Sequence, residues 1–412
     1  MPRWRQRDQK CLDGGKRSKM PRWRHFFISI IRGMDIESSA SHTALLLTGG
    51  GARAAYQVGV LKAISDWYPR LAASPFSIYC GTSAGAINAT VLACDCNYFR
   101  LGVKRLEWFW NKLHTQDIFH SRFHTMFGYL AKQGFNRLQA SYQPSLPFGL
   151  LDNRPLRLLL NRLLQYEKID KQIERKILQG LSITASNYQT SYSVTFYQGQ
   201  KNISPWRSGR SVGVVNNINT DHLVASSAIP FVFPATQIGQ NYYGDGSVHQ
   251  ISPLKPALKM GANRILVIDL TPKQTSSKNN KIRVPGLAQL GGHLMDAIFA
   301  DMLSADIEHL THINKIVADI GEDQAKKIGI NHVETLVLPP PITYEHFAKE
   351  HYCKMPLAAR TLMRLLGINP SEDSAITSFL LFEPDYVKAL VQCGYENAQE
   401  HELKIRYLLN LD

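Results

Sequence analysis

The sequence predicts an α/β fold in which helices flank a central, mostly parallel sheet, with a helical extension towards the C-terminal end. Two observations favour this class. Over residues 43–93, short apolar runs typical of buried strands alternate with helical patterns, and further strand-like runs follow at 181–188, 193–199 and 264–270. Strands that alternate with helices at this spacing are expected to pair in parallel with their neighbours.

The first four elements lie within residues 43–93. TALLLT at 43–48 is an apolar run ended by three glycines, which is typical of a buried strand. The stretch ARAAYQVGVLKAISDW at 52–67 has apolar residues at helical spacing. FSIYC at 76–80 predicts a second strand, and the small-residue run SAGAINATVLA at 83–93 predicts a buried helix.

Helical patterns dominate residues 97–180 and the chain after residue 270. LLDNRPLRLLLNRLL at 150–164 is the clearest of them, and its proline suits a helix start. After a polar loop at 271–283, residues 291–310 predict an amphipathic helix. The helical tail that follows contains PLAARTLMRLLG at 356–367, a segment suited to core packing or to contact with a membrane surface.

Three regions are therefore expected: a basic, flexible segment at 1–40, an α/β domain at 41–270 and a mainly helical region at 271–412. The chain has 47 Lys and Arg against 33 Asp and Glu, a net charge of +14, and residues 1–24 hold nine of those basic residues against two aspartates. Such a segment is typical of a solvated tail and also suits anionic lipid headgroups. No motif beyond charge indicates nucleic acid, so no nucleic-acid partner is expected.

No run approaches the roughly 18 apolar residues that a membrane-spanning helix needs. FFISII at 26–31 is too short, and no small-residue cleavage site follows it, so we expect a cytoplasmic protein with at most peripheral membrane contact. The six cysteines have no metal-ligand spacing, which favours buried reduced thiols and no metal site.

The run IYCGTSAGAIN places Ser83 in the pattern Gly-x-Ser-x-Gly, between a predicted strand and a predicted helix. Gly81 and Gly85 remove side chains where a strained turn and the following helix must pack closely, so the serine hydroxyl is expected to be exposed. The hydroxyl would also lie in the positive end of the helix dipole. This context favours a nucleophile over the alternative, an ordinary serine N-cap.

The glycine-rich turn GGGARA at 49–54 is the second candidate element. Such a turn directs backbone N–H groups at one point, which suits a phosphate, a dinucleotide or an oxyanion. Ala54 stands where a dinucleotide motif has glycine, and no Lys-Ser/Thr pair follows for a nucleotide loop. An oxyanion hole is therefore favoured. Arg53 is expected to anchor the loop, to meet a phosphate, or to be an ordinary surface arginine.

A general base is expected in YYGDGSVHQISPL at 242–254. Asp245 lies between two glycines, in a turn predicted to expose its carboxylate. A carboxylate near a serine can accept the hydroxyl proton directly when its surroundings tune its pKa. The Asp-Gly pair is also a common hairpin signal, so the pattern alone leaves both interpretations open.

Five motifs follow one another between about residues 43 and 270: LLLTGGGARAAYQVGVL, GTSAGAIN, LLDNRPLRLLL, ASSAIPFVFPA and YYGDGSVHQISPLKPALKMGA. Together they resemble the patatin-like phospholipase family. The resemblance implies a patatin-like α/β fold at 41–270 and a Ser–Asp dyad without a catalytic histidine, metal or organic cofactor. Ser83 matches the nucleophile and Asp245 the base. The loop residues Gly49, Gly50, Gly51 and Ala52 match the oxyanion hole, and Gly81, Gly85 and Gly246 match the elbow and turn glycines.

Two positions depart from the family pattern. Ala54 stands where the loop often ends in glycine, and Ser247 follows Asp245-Gly246 where the family has glycine or alanine. Both residues are small, so the geometry is expected to survive. ASSAIPFVFPA at 225–235 is expected to form a wall near the site.

The resemblance implies a lipid acyl hydrolase of the phospholipase A or lysophospholipase type, whose partner is a phospholipid or another acyl ester. The same acyl-enzyme could pass its acyl group to an alcohol, so a transacylase stays possible. One alternative is a Ser–His–Asp esterase that uses Ser83, Asp245 and His293, or His249 as base. Another is a catalytically inactive lipid-binding protein.

Overall fold

The computed structural model describes residues 42–122, 124, 128–129, 131, 147–272, 287–365 and 375–411, and for residues 287–301 the backbone alone. Among these residues ten strands form one sheet. The strands are β1 Thr43–Leu47, β2 Ile78–Thr82, β3 Gly180–Asn187, β4 Tyr192–Gly199, β5 Trp206–Ser208, β6 Ser211–Val215, β7 Thr236–Ile238, β8 Asn241–Asp245, β9 Arg264–Ile268 and β10 Glu334–Leu338.

The α-helices of the described residues lie mostly between strands or after β10. They are α1 Ala55–Trp67, α2 Ala84–Cys94, α3 Phe99–Asn111, α4 Thr115–Ile118, α5 Arg154–Leu163, α6 Glu167–Glu174, α7 Thr220–Ser226, α8 Lys255–Lys259, α9 Leu287–Ile320, α10 Glu322–Lys327, α11 Tyr344–His351, α12 Leu357–Leu365, α13 Ala375–Leu380, α14 Pro384–Glu400 and α15 Glu402–Leu409. Short 3-10 turns cover Gly51–Ala54, Gly246–Val248 and Tyr352–Lys354.

The sheet has the order β10-β9-β1-β2-β3-β4-β6-β5, and the hairpin of β7 and β8 joins it through β3. Strands β10, β9, β1, β2 and β3 are mutually parallel, whereas β4 runs antiparallel to β3. The predicted α/β class, with a mostly parallel central sheet and C-terminal helices, is confirmed. The reason is that the parallel strands are apolar runs that helices bury on both faces.

Side chains that alternate along β1 and β2 contribute to two separate cores. Leu45, Leu47 and Tyr79 pack with α1, α2, α3 and α14 on what we call the first face of the sheet. Leu46 and Cys80 pack on the second face with α8 and α9. Because consecutive strand residues point to opposite faces, this register decides which side chains can reach each side of the sheet.

Two strands meet end to end along one edge of β3. Strand β2 pairs in parallel with β3 as far as the pair Thr82–Thr184, and β8 pairs antiparallel with the next part of β3, beginning at the pair Asp245–Ala185. Both strands therefore run towards the same point and end there. The residue that follows β2 and the last residue of β8 are brought together by this register.

Most of the predicted elements are present with shifted ends. The predicted strand at 76–80 runs instead from Ile78 to Thr82, and the helix predicted at 291–310 extends over Leu287–Ile320.

The predicted basic segment at 1–40 lies outside the described residues. Strand β10 comes from beyond residue 270 and pairs with β9, while the predicted boundary at that residue stays a prediction. Within the described parts of the chain, no helix is both long and apolar enough to cross a membrane.

Candidate active site

Ser83 lies on a sharp turn between β2 and α2, and its backbone is in the left-handed region with φ 56°. The flanking glycines make this turn sterically possible. A side chain at Gly81 would collide with the backbone of Ala86, and one at Gly85 would collide with the carbonyl oxygen of Leu47. Ser83 occupies the N-cap position of α2 without a side-chain cap hydrogen bond, so its hydroxyl is left for other chemistry.

The expectation that the Ser83 hydroxyl would be exposed on the turn is wrong, because the residue is only 1% exposed. Its backbone N–H donates to Ser226 Oγ at 2.9 Å, and that hydroxyl donates to the carbonyl oxygen of Thr184 at 2.6 Å. These bonds hold the turn against β3. Ser83 therefore lies below the surface, where it lines the floor of a cleft.

Asp245 is also buried, at 0% exposure, so the predicted exposed turn is wrong. Its position in β8 explains the burial. Opposite Ala185 it points to the first face of the sheet, and its N–H donates to the carbonyl oxygen of Ala228 at 2.9 Å. Gly246 allows the chain to turn directly against β3, because a side chain there would collide with the carbonyl oxygen of Thr184.

Burial raises the pKa of Asp245 to about 6, and hydrogen bonds from Ser83 and Ser247 oppose this rise. Oδ1 accepts the backbone N–H of Ser247 at 3.0 Å. Among the described residues, Oδ2 has no partner at ordinary hydrogen-bond geometry, so the contact with Ser83 is a loose one. Catalytic hydrogen bonds are often long without substrate and tighten when it binds.

The glycine loop leads from β1 into α1 beside Ser83. Gly51 has φ +55°, and a side chain there would collide with the carbonyl oxygen of Phe379. The backbone N–H groups of Gly50, Gly51 and Ala52 have no acceptor among the described residues. Gly51 and Ser83 line the same cleft, so the loop presents free donors next to the serine.

Arg53 is buried and anchors this loop, so the alternative of a surface arginine is wrong. It is buried at 3% exposure, and its Nε donates to Ser378 Oγ at 2.7 Å. Its guanidinium lies 3.9 Å from the ring centroid of Phe379 and 4.8 Å from that of Tyr344. The cation is thus stacked between the ring of Tyr344 on α11 and the ring of Phe379 on α13. These contacts hold the two C-terminal helices against the loop.

A buried chain of hydrogen bonds connects the cleft wall to the start of the loop. Trp110 Nε1 donates to Asn88 Oδ1 at 2.8 Å, and Asn88 Nδ2 donates to Gln57 Oε1 at 2.9 Å and to the carbonyl oxygen of Ala54 at 3.2 Å. Gln57 Nε2 donates in turn to the carbonyl oxygen of Thr48 at 2.9 Å. Residues on α1, α2 and α3 thereby fix both ends of the glycine loop, a role that sequence reasoning missed.

The cleft above Ser83, which we call the apolar cleft, has a volume of about 460 Å³ including its open mouth. Most of its lining is aliphatic or aromatic. It is lined by Gly51, Ser83, Ala84, Ile87, Phe109, Trp110, Leu113, Ile118, Leu156, Ser227, Ile229, Phe233, Phe379, Leu380 and Phe382. The segment 225–235, expected as a wall of the site, supplies three of these residues, and the region 97–180 and the C-terminal helices supply most of the others.

His249 lies away from the apolar cleft. Its backbone N–H donates to Ser186 Oγ at 3.1 Å, and Ser186 points to the second face of the sheet, opposite to Asp245. Burial and the charge of Arg210 lower its pKa. His293, the other histidine considered as a base, belongs to the part of α9 whose side chains are outside the described residues.

Comparison with known proteins shows the family of the chain. The family model for patatin-like phospholipases matches residues 45–258, slightly more than half of the chain. No curated protein matches the chain. The chain is remotely similar to VipD from Legionella pneumophila, with 12% identity, a TM-score of 0.33 and coverage of 90% of this chain and 67% of VipD. It is also remotely similar to a chain of the SpcU–ExoU complex from the type III secretion system of Pseudomonas aeruginosa, with 13% identity, a TM-score of 0.25 and coverage of 82% and 70%. The chain belongs to the patatin-like phospholipase family.

Proposed function

We propose that this protein is a lipid acyl hydrolase of the phospholipase A or lysophospholipase type, with Ser83 as nucleophile and Asp245 as base. The observation that carries the proposal is the meeting of β2 and β8. That meeting brings a serine on a strained turn, which lines the apolar cleft, next to a fully buried carboxylate. An apolar cleft with a few convergent polar groups is typical of a site for a lipid-like substrate.

We propose the following reaction for these groups. Ser83 Oγ attacks the ester carbonyl carbon while the Asp245 carboxylate accepts the hydroxyl proton. The carbonyl oxygen becomes an oxyanion, which the N–H groups of Gly50, Gly51 and Ala52 stabilise. Collapse of the intermediate expels the alcohol, which takes the proton from Asp245, and leaves the acyl group on Ser83. Water then attacks the acyl-enzyme while Asp245 again accepts a proton. The second intermediate breaks the bond between the acyl carbon and Ser83 Oγ, Asp245 returns the proton to that oxygen, and the fatty acid leaves.

The fatty-acyl chain is expected to occupy the apolar cleft. Its walls include Phe109, Trp110, Phe233 and Phe382, which provide the apolar surface that a hydrocarbon chain prefers to water. We propose a phospholipid or related acyl ester as substrate, which the enzyme would meet at a membrane or micelle surface through peripheral contact.

The test is fatty-acid release from mixed phospholipid vesicles by the wild type, Ser83→Ala, Asp245→Asn and His249→Ala. The first two substitutions are expected to reduce the rate by at least about 10³-fold, because each removes a group that acts only in the chemical step. His249→Ala is expected to have a modest effect. The backbone N–H of His249 donates to Ser186, whose side chain points to the second face of the sheet, away from Asp245. Circular dichroism of each variant checks the fold.

Covalent labelling by a fluorophosphonate provides a readout that does not depend on the substrate chosen. Labelling is expected at Ser83 in the wild type, and it should be lost in Ser83→Ala and slowed in Asp245→Asn. An unlabelled wild type would favour the inactive lipid-binding alternative. A His249→Ala variant as inactive as Ser83→Ala would instead favour a Ser–His–Asp esterase.

A further inference from the structure

Ser227 lies between the two residues that hold the proposed nucleophile and base in place. Ser226 Oγ, one residue before it, accepts the backbone N–H of Ser83 at 2.9 Å. The carbonyl oxygen of Ala228, one residue after it, accepts the backbone N–H of Asp245 at 2.9 Å. The backbone of Ser227 is therefore fixed beside both groups, directly after α7.

The side chain of Ser227 belongs to the apolar cleft. Ser227 and Ser83 are the two hydroxyl-bearing side chains among the described residues that line this cleft. Ser227 is buried, and its Oγ has no hydrogen-bond partner within the described parts of the chain. A buried hydroxyl without a partner is unfavourable, so this group is suited to a hydrogen bond with a molecule that enters the cleft.

The second half of the proposed reaction needs a water molecule beside the acyl carbon, in a cleft whose walls are mostly apolar. A buried water needs about two to four polar partners. Trp110, which also lines the cleft, already donates its ring N–H to Asn88 at 2.8 Å. The Oγ of an acylated Ser83 has no proton to donate to Asp245. Asp245 Oδ2 and Ser227 Oγ are therefore the two side-chain oxygens best placed to hold this water.

We propose that Ser227 Oγ holds the water that hydrolyses the acyl-enzyme, so that Ser227 is a catalytic residue of the second half-reaction alone. This inference rests on the proposed hydrolase function. The water donates one O–H to Ser227 Oγ and the other to Asp245 Oδ2, which leaves a lone pair for the acyl carbon. Its oxygen bonds to that carbon while Asp245 takes the proton. The bond from the acyl carbon to Ser83 Oγ then breaks, and this oxygen receives the proton.

The experiment uses p-nitrophenyl octanoate, because acylation of Ser83 releases p-nitrophenol and hydrolysis of the acyl-enzyme releases octanoate. Since p-nitrophenol leaves readily, the second step is expected to limit kcat. For Ser227→Ala, kcat should fall about tenfold, the effect of one lost hydrogen bond, and KM should fall in proportion. The kcat/KM, which reports the steps up to acylation, should stay within about twofold of the wild type. Mass spectrometry should find the octanoyl group on Ser83 during turnover.

An added alcohol gives a second readout. An alcohol has one O–H and cannot bond to both oxygens at once, so Ser227 should favour water over butanol as the acyl acceptor. In Ser227→Ala the ratio of butyl octanoate to octanoate should therefore rise by about tenfold over the wild-type ratio.

Two further variants serve as controls. Ser227→Thr keeps the hydroxyl and should keep most of the wild-type kcat. Ser182→Ala is the matched control, because Ser182 is also a buried serine but pairs with Cys80, whose side chain belongs to the core of the second face. It should leave kcat, KM and the product ratio unchanged. Circular dichroism of each variant checks the fold, and loss of an unpartnered hydroxyl is not expected to destabilise Ser227→Ala.

Two outcomes would overturn the inference. One is a Ser227→Ala variant whose kcat/KM falls as much as its kcat, because the hydroxyl would then act before or during acylation. The other is a variant with unchanged kcat and an unchanged product ratio. Fluorophosphonate labelling of Ser83 and release of p-nitrophenol by the wild type separate these outcomes from a failure of the hydrolase proposal. If the wild type shows neither, the proposed function and this inference fail together.

Discussion

At the scale of single residues, the ionisation of Asp245 affects both the proposed activity and the free energy of unfolding. Burial raises its pKa to about 6, above the ordinary value of about 3.9. The unfolded chain therefore binds fewer protons than the folded one between these values. Below about pH 4 this group makes its full contribution to the free energy of unfolding. The contribution is lost as the pH rises towards 6. The ionised form that is proposed to act as base is thus the less stable form of the folded protein.

We expect Asp245→Asn to be inactive yet more stable than the wild type above pH 6, by up to about 3 kcal/mol. The gain should disappear below about pH 4, where the wild-type carboxyl is protonated. Chemical denaturation at several pH values measures the difference, and the exposed Asp385→Asn serves as control. Wild-type kcat/KM should rise with a midpoint near pH 6 and reach a plateau above about pH 7. A variant less stable than the wild type at neutral pH would contradict this account.

The sequence predicted Ser83 and Asp245 as the nucleophile and the base, which stays a prediction, but it predicted the wrong exposure for both. Gly-x-Ser-x-Gly and Asp-Gly are local patterns, and a local pattern describes the turn of the backbone. The burial of Asp245 depends on pairing with Ala185, about sixty residues earlier in the chain, which no local pattern reports. For the same reason, no local pattern predicts the hydrogen bonds of Asn88 and Gln57 to the glycine loop. In the sequence each is an ordinary polar residue of a predicted helix.

At the scale of elements, the crossing of α1 and α14 positions the C-terminal helices. The two helices approach closely at two glycines. A side chain at Gly59 would collide with the carbonyl oxygen of Val391, and one at Gly394 would collide with that of Tyr56. Because α13 and α14 carry or adjoin residues that line the apolar cleft, this crossing supports the cleft wall as well as the core.

We expect Gly394→Ala to destabilise the protein by about 1–3 kcal/mol, because a methyl group there overpacks the helix crossing. The matched control is Gly102→Ala on α3, where the nearest atom to an added methyl is Asp95 Cβ at 3.4 Å. That variant should be neutral or slightly stabilising, since alanine favours helix more than glycine does. Denaturant midpoints followed by circular dichroism measure both. Equal stability of Gly394→Ala and the wild type would argue against so close a crossing.

The long apolar strands could be predicted from the sequence, and the short ones could not. TALLLT and RILVIDL are continuous apolar runs, and both correspond to strands buried on two faces. Strands β5 and β7 have three residues each, and their exposed polar side chains show no recognisable pattern. Strand β10 lies in a region expected to be mainly helical, and its pairing with β9 is a long-range contact.

At the scale of the whole molecule, the candidate site is assembled from segments that are far apart in the chain. The glycine loop and Ser83 come from the first hundred residues, Asp245 from the middle, and Phe379 and Phe382 from near the end. The motifs of the family resemblance include the glycine loop, Ser83 and Asp245, but not Phe379 and Phe382. The aromatic residues of the cleft wall depend on tertiary packing, so no sequence pattern could assign them.

The small number of residue pairs between β8 and β3 has a consequence for how the protein should lose activity on heating. Asp245 is held by a strand that contacts β3 through three residue pairs, whereas Ser83 follows a strand in the middle of the sheet. Segments with few cooperative contacts open locally before the whole molecule unfolds. We expect hydrolysis to be lost several degrees below the melting temperature seen by circular dichroism, with amide exchange faster in β8 than in β1. Coincident curves would mean that the hairpin and the sheet unfold as one unit. Otherwise Asp245 leaves its place first, and the warmed protein keeps its fold and the position of Ser83 while it loses the proposed base.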